Sequence, residues 1–289
     1  MSPKTVLLTL IAMVAFAANS LLCRAALGAG SIDAASFASV RMISGAVVLM
    51  VILAVRDRRP AVPTVNWCMT TALFVYVAFF SFAYIWLSAG TGALLLFGAV
   101  QLTMFTAAMR QGERFTLLSW AGLAAAVAGL IYLVLPGVTA PDPVGAVLMV
   151  VAGIAWGAYS LLGRGTTDPL AATAGNFLYA VPLVAVVSLL FWRSFEISPN
   201  GVALAVASGA VASGCGYVIW YAALRGLTAT RAAVVQLSVP AIAAFGGVVL
   251  MSEEVTLRLL IASAATIGGV AVVLSQRAAG GRERPRDAS

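Results

Sequence analysis

The chain has 289 residues, of which 62% are hydrophobic and 9% charged, with a net charge of +7 and no histidine. A soluble domain carries roughly a quarter charged residues, so this chain cannot cover a water-facing surface and reads as a polytopic membrane protein. The absence of histidine excludes His-ligated metal chemistry, and the basic excess belongs to short loops that set topology rather than to a nucleic-acid partner.

A helix needs roughly 20 apolar residues to cross the hydrocarbon core. Ten such runs follow in chain order, at about 5–23, 34–55, 65–87, 91–109, 116–135, 143–163, 169–192, 200–224, 228–250 and 256–276. Breakers separate them: Gly28-Ala29-Gly30, Pro60 with Pro63, Gly90-Thr91-Gly92, Pro136-Gly137 and Pro141-Asp142-Pro143. The first run could be taken for a signal peptide, but its end recurs inside the chain, which a discarded leader has no reason to do. The three cysteines, Cys23, Cys68 and Cys215, lie in or at the ends of apolar runs and read as free thiols.

The recurrence is extensive. Phe16 to Arg24 aligns with Trp156 to Arg164, and Glu113 to Leu117 aligns with Glu253 to Leu257, both at an offset of 140 residues. Each half holds five runs. Five is odd, so the second copy enters the bilayer from the opposite side. The expected fold is all-α: ten transmembrane helices in two inverted five-helix repeats, 1–138 and 143–276, followed by a disordered basic cytoplasmic tail, 277–289. Such inverted repeats typify secondary transporters, with the substrate at the repeat interface.

Charge fixes the orientation. Thirteen basic residues fall on the side of the termini: Lys4, Arg56, Arg58, Arg59, Arg110, Arg114, Arg164, Arg225, Arg231, Arg277, Arg282, Arg284 and Arg286. Three fall on the other side, Arg24, Arg193 and Arg258. Both termini are therefore expected in the cytoplasm, in a bacterial inner membrane.

No Asp, Glu or Lys falls deep in a span. Proton-coupled carriers keep an intramembrane carboxylate as relay, so tight proton coupling by that route is not expected. The same lack leaves no acid–base pair for an enzyme, and no cofactor or metal is expected. Arg41 is the one charge well inside a span. It either snorkels toward the outer interface near Asp33 or attracts a substrate carboxylate. Aromatics concentrate in the third run (Phe74, Tyr76, Phe79, Phe80, Phe82, Tyr84, Trp86) and the eighth (Tyr217, Trp220, Tyr221). Trp67 and Trp192, at run ends, suit interfacial belts. Asn19 and Tyr159 are repeat partners, and Gln101 and Gln236 are isolated amides. Buried amides are costly unless paired or wet, although interhelical hydrogen bonds would also account for them. A midplane cavity lined by Asn19, Ser81, Tyr84, Gln101, Trp156, Tyr159, Tyr217, Trp220 and Gln236 is the expectation. Gly153 and Gly157 are spaced for close helix packing, and Pro182 and Pro240 for kinks.

These segments resemble the drug/metabolite transporter superfamily in its EamA-type branch. Ser36-Phe37-Ala38-Ser39-Val40-Arg41 opening the second run and Ala83-Tyr84-Ile85-Trp86-Leu87-Ser88-Ala89-Gly90 ending the third carry the likeness, with Pro240 and Glu253 in the second repeat and Gly112-Glu113 in the first. Gln101 stands where that family usually has a proline, so the fourth helix is expected to be straight. The overall likeness is to the YddG-type exporters of aromatic amino acids and methyl viologen-like compounds. It implies a basket-shaped fold with a central cavity between helices 1, 3, 4, 6, 8 and 9, a monomer in the bilayer, and export of neutral, aromatic amino acids by alternating access. Carriers of sugars, nucleobases or drug-like cations, and a membrane scaffold without transport, are the alternatives. A permanent cation would want a buried carboxylate, and none is visible.

Overall fold

The computed structural model describes residues 2–58, 64–113, 115–163, 166–227 and 229–280. Pro60, Pro63, Arg114, Arg164 and the tail beyond Gly280 lie outside the described residues. Within them the chain forms helices α1 (Pro3–Gly28), α2 (Ala34–Asp57), α3 (Trp67–Ala83), α4 (Ala89–Arg110), α5 (Leu117–Val134), α6 (Pro143–Leu162), α7 (Pro169–Leu190), α8 (Pro199–Val206), α9 (Gly216–Leu224), α10 (Ala229–Gln236), α11 (Ser238–Met251) and α12 (Leu257–Gly280).

Local chemistry sets where these helices begin. Ser2, Asp33, Asn66, Ser88, Thr116, Asp142, Asp168 and Ser198 each accept a hydrogen bond from the backbone N–H three residues on. Each satisfies one of the donors that a helix start leaves open. Pro3, Pro143, Pro169 and Pro199 follow their caps, where the missing N–H costs nothing.

Ten spans result. Nine of the described spans are long and apolar enough to cross a membrane, and α3 is a shorter apolar tenth of 17 residues. Two spans are not single α-helices. In the eighth, a π-helical segment, Ala207–Cys215, joins α8 to α9. The ninth is divided at Leu237 between α10 and α11, with Pro240 just inside α11. The fourth, α4, is unbroken across Gln101. The tenth runs four residues further than its hydropathy suggests, to Gly280.

The packing repeats when the halves are exchanged. α3 lies on α6, as α1 lies on α8, the π segment and α9; α4 lies on α6, as α1 lies on α11. α2 with α7, α4 with α11 and α5 with α12 are pairs that map onto themselves. Lipid-facing surfaces stay apolar, and Trp67 and Trp192 are exposed at span ends, where an interfacial belt requires them.

Glycine lets α6 approach α4. A Cβ at Gly153 would lie 2.6 Å from both the Ala99 Cβ and the Leu96 carbonyl oxygen, and one at Gly157 would lie 2.9 Å from Thr103. Both GxxxG glycines therefore face the same neighbour, as small-residue interfaces do. Gly153→Leu is expected to destabilise the protein by about 1–3 kcal/mol, read as earlier thermal unfolding in detergent. An unchanged unfolding temperature would mean that the two helices do not depend on this contact.

Candidate functional site

A central cavity between the two repeats has a volume of about 290 Å3, near the lower limit of small-molecule sites at roughly 300–1,000 Å3. Its wall runs from α4 (Val100, Gln101, Met104) through α6 (Trp156, Tyr159, Ser160) and α9 (Tyr217, Trp220, Tyr221) to Ala232 and Gln236 on α10. The wall reaches Gly163 and Leu224, at the helix ends on the same side as the termini.

One face of the cavity is a continuous aromatic surface. Trp156 stacks on Tyr159 at 5.5 Å and on Tyr217 at 5.4 Å, with interplanar angles of 22° and 29°. Phe16 meets Tyr217 and Trp220 edge-on. Offset stacking and edge contacts hold such rings rigidly. The phenols are anchored from behind: Asn176 donates to the Tyr159 hydroxyl at 3.3 Å, and Thr173 and Tyr221 share a hydroxyl–hydroxyl bond of 3.3 Å. The described lining holds no Asp, Glu, Lys or Arg.

A second, smaller cavity adjoins the first across Trp156 and Tyr217, which line both. Phe16, Asn19, Ser20, Tyr76, Phe80 and Ser213 surround it. Behind its wall lies Arg41, fully buried, with its guanidinium 4.9 Å from the Phe80 ring centre and 5.3 Å from that of Tyr76. It does not snorkel. Asp33 instead caps α2 and accepts from the Glu196 backbone N–H.

The structure thus brings Gln101, Trp156, Tyr159, Tyr217, Trp220 and Gln236 around the large cavity and Asn19 around the small one. Ser81 and Tyr84 line neither. Ser81 is buried and returns its hydroxyl to the Val77 carbonyl four residues earlier. Tyr84 is fully buried at the end of α3 and donates to the Ala89 carbonyl. Sequence alone does not give the rotation of α3 about its axis, which turns Tyr76 and Phe80 inward.

The end opposite the termini is closed. Arg24 Nε bonds Glu253 Oε1 at 3.1 Å, and Arg24 Nη1 donates to the carbonyls of Tyr84 and Ile85. Both carboxylate oxygens of Glu253 accept from the Ala89 N–H at the start of α4, at 3.2 and 2.9 Å. A carboxylate is favoured there by the helix dipole. Nearby, Asp33 N–H donates to the Glu196 carbonyl and Ser198 to that of Ser31, while Arg258 donates to the carbonyls of Leu133 and Leu135. This clamp joins both repeats. At the termini end, Arg56 bonds Asp168 at 2.5 and 2.8 Å and also Asp57. The guanidinium holds the Asp168 carboxyl below the usual carboxylate range. The contribution of that pair is therefore present at neutral pH and is lost only as pH falls below that range.

A family model described as the EamA-like transporter family matches residues 3–135 and again residues 143–275. An uncharacterized protein of Pseudomonas aeruginosa is 52% identical over 275 residues, covering 95% of this chain and 96% of its own length. An uncharacterized transporter of Archaeoglobus fulgidus is 24% identical over 233 residues, covering 79% of this chain and 83% of its own. A solved crystal structure superposes with a TM-score of 0.66 at 21% identity, covering 93% of this chain and 98% of that one, which is a likeness of fold.

Proposed function

The chain belongs to the EamA-like transporter family, and from that premise we propose that it exports neutral amino acids, aromatic ones above all, by alternating access. The aromatic wall carries this reading. A planar side chain stacks on Trp156, Tyr159 and Tyr217, while Gln101 and Gln236 offer uncharged polar contacts to a zwitterion. The family supports a transport role, and the wall's chemistry supports the substrate class.

The two ends suit one stage of the cycle. The cavity reaches the end bearing the termini, and the Arg24–Glu253 clamp closes the other. With thirteen basic residues on the termini side, that side is cytoplasmic, and the carrier is poised to load from the cytoplasm. A reporter fused after Ser289 is expected to be cytoplasmic in a bacterial inner membrane. A periplasmic signal would reverse the loading direction.

Flux of a radiolabelled amino-acid panel in proteoliposomes tests the substrate class. Phenylalanine, tyrosine and tryptophan are expected to exceed aspartate, lysine and glucose. Equal flux of all, or none of any amino acid, would overturn the assignment.

A further inference from the structure

We propose that the hydroxyls of Tyr76 and Ser213, backed by the Arg41 guanidinium, form a carboxylate subsite in the small cavity. The substrate is then a molecule with an aromatic body and a free carboxylate, a deepening that rests on the transport reading above.

Arg41 is a full positive charge with no countercharge among the described residues. It is fully buried, and its Nε and Nη1 have no hydrogen-bond partner. The three ion pairs of the described residues do not include it. Its surroundings are the rings of Tyr76 and Phe80, which offset only part of the cost of burying a cation. An interior that holds an unpaired cation favours an anion nearby, because the field of that charge is little screened there.

Tyr76 carries the charge's influence to the cavity. Its oxygen accepts from Arg41 Nη2 at 3.1 Å and from Asn19 Nδ2 at 3.1 Å. With both acceptor positions used, the phenol hydrogen is left to donate, and none of the hydrogen bonds of the described residues uses it. Hydrogen bonds in series polarise one another, so the guanidinium makes this hydroxyl a stronger donor. Tyr76 lines the small cavity.

Ser213 lines the same cavity, is buried, and has no hydrogen-bond partner. Other helical hydroxyls in the bundle, those of Thr9, Ser81, Thr103, Ser160 and Thr173, return to a backbone carbonyl four residues earlier. Ser213 does not, and the π-helical segment explains its position. Hydrogen bonds from i to i+5 place residues five apart on one face, so Ser208 and Ser213 both face α1. Ser208 donates to Asn19 Oδ1 at 2.6 Å, which turns the Asn19 amide nitrogen toward Tyr76. The π segment thus orients Asn19 with one serine and presents the other.

The cavity holds about 20 Å3, room for one water-sized group. Trp156 and Tyr217 line both cavities, so a ligand that seats one carboxylate oxygen there keeps its aromatic body against the stacked wall. Arg41 and Asn19 act as positioning residues, and Tyr76 and Ser213 touch the ligand.

Calorimetric titration of the purified protein in detergent with 3-phenylpropionate and with 3-phenylpropionamide tests this. The acid is expected to bind at least tenfold more tightly than the amide. Tyr76→Phe and Ser213→Ala each preserve shape and are expected to reduce that preference to threefold or less. No preference in the wild type, no binding of either probe, or a preference retained in the variants would overturn the subsite. If Tyr76→Phe does not yield a monodisperse protein, Ser213→Ala decides alone. Acid-selective binding without amino-acid flux would leave the subsite standing and remove the amino-acid export reading. Flux without acid selectivity would do the reverse.

Discussion

Trp156→Ala is expected to lower transport of aromatic amino acids by about tenfold or more while leaving insertion and folding intact. Trp156 is the ring at which the wall is joined, stacked on Tyr159 and Tyr217 and tilted against Tyr76 at 4.9 Å. Aromatic pairs contribute roughly 0.5–1.5 kcal/mol each beyond their area. Loss of this surface to a bound ring then costs about 1–3 kcal/mol, and 1.4 kcal/mol is roughly tenfold. The loss should appear chiefly in KM, because Trp156 binds the substrate throughout loading. Tyr159→Ala and Trp220→Ala should follow the same pattern with smaller effects. Wild-type flux in all three variants would move the substrate path away from this wall.

Glu253→Gln is expected to shift the carrier toward opening at the end opposite the termini. The pair is partly buried, with side-chain exposures of 26% for Arg24 and 14% for Glu253. A fully buried pair costs 3–5 kcal/mol to break and an exposed one ~1 or less, which places this loss at about 1–3 kcal/mol. Cys23, adjacent to Arg24 and fully buried, reports the change. In a background lacking Cys68 and Cys215, a membrane-impermeant maleimide should label Cys23 at least several-fold faster in Glu253→Gln. Exchanging the two charges should not restore closure. The carboxylate sits at a helix N-terminus and the guanidinium against two carbonyls, so the swap opposes both. Unchanged labelling, or full rescue by the swap, would contradict the clamp.

The span count and the repeat were legible in the sequence because a helix rises a fixed 1.5 Å per residue and the hydrocarbon thickness is fixed. The clamp leaves a trace in the repeat. Arg24 with Arg164, and Glu113 with Glu253, recur at the same 140-residue offset, which marks both positions as paired features of the repeat. Their contact across 229 residues is tertiary and has no local signal. The π segment is equally silent. Gly209 lets that segment meet the Arg41 backbone carbonyl and the Ser44 hydroxyl directly, a fit between α2 and the eighth span rather than a local preference. Ser208 and Ser213 are therefore unremarkable in sequence, and only packing sets Ser208 against Asn19 and Ser213 at the small cavity. Asp33 suggested a partner for Arg41 by proximity in the chain, yet its carboxylate caps α2. Tyr84 and Ser81 share α3 with Tyr76: Tyr84 follows Tyr76 and Phe80 on the same face but lies about two turns further along, at the helix end, while Ser81 is turned off that face.

With no carboxylate deep in a span of the sequence to relay a proton, we propose that substrate moves down its own gradient, without a proton cycle. Proteoliposomes loaded with a labelled aromatic amino acid and given no ion gradient test it most directly. Efflux is expected that an uncoupler and an imposed membrane potential leave unchanged, because a zwitterion carries no net charge. Accumulation against the substrate gradient, driven by an imposed pH difference and abolished by the uncoupler, would contradict it.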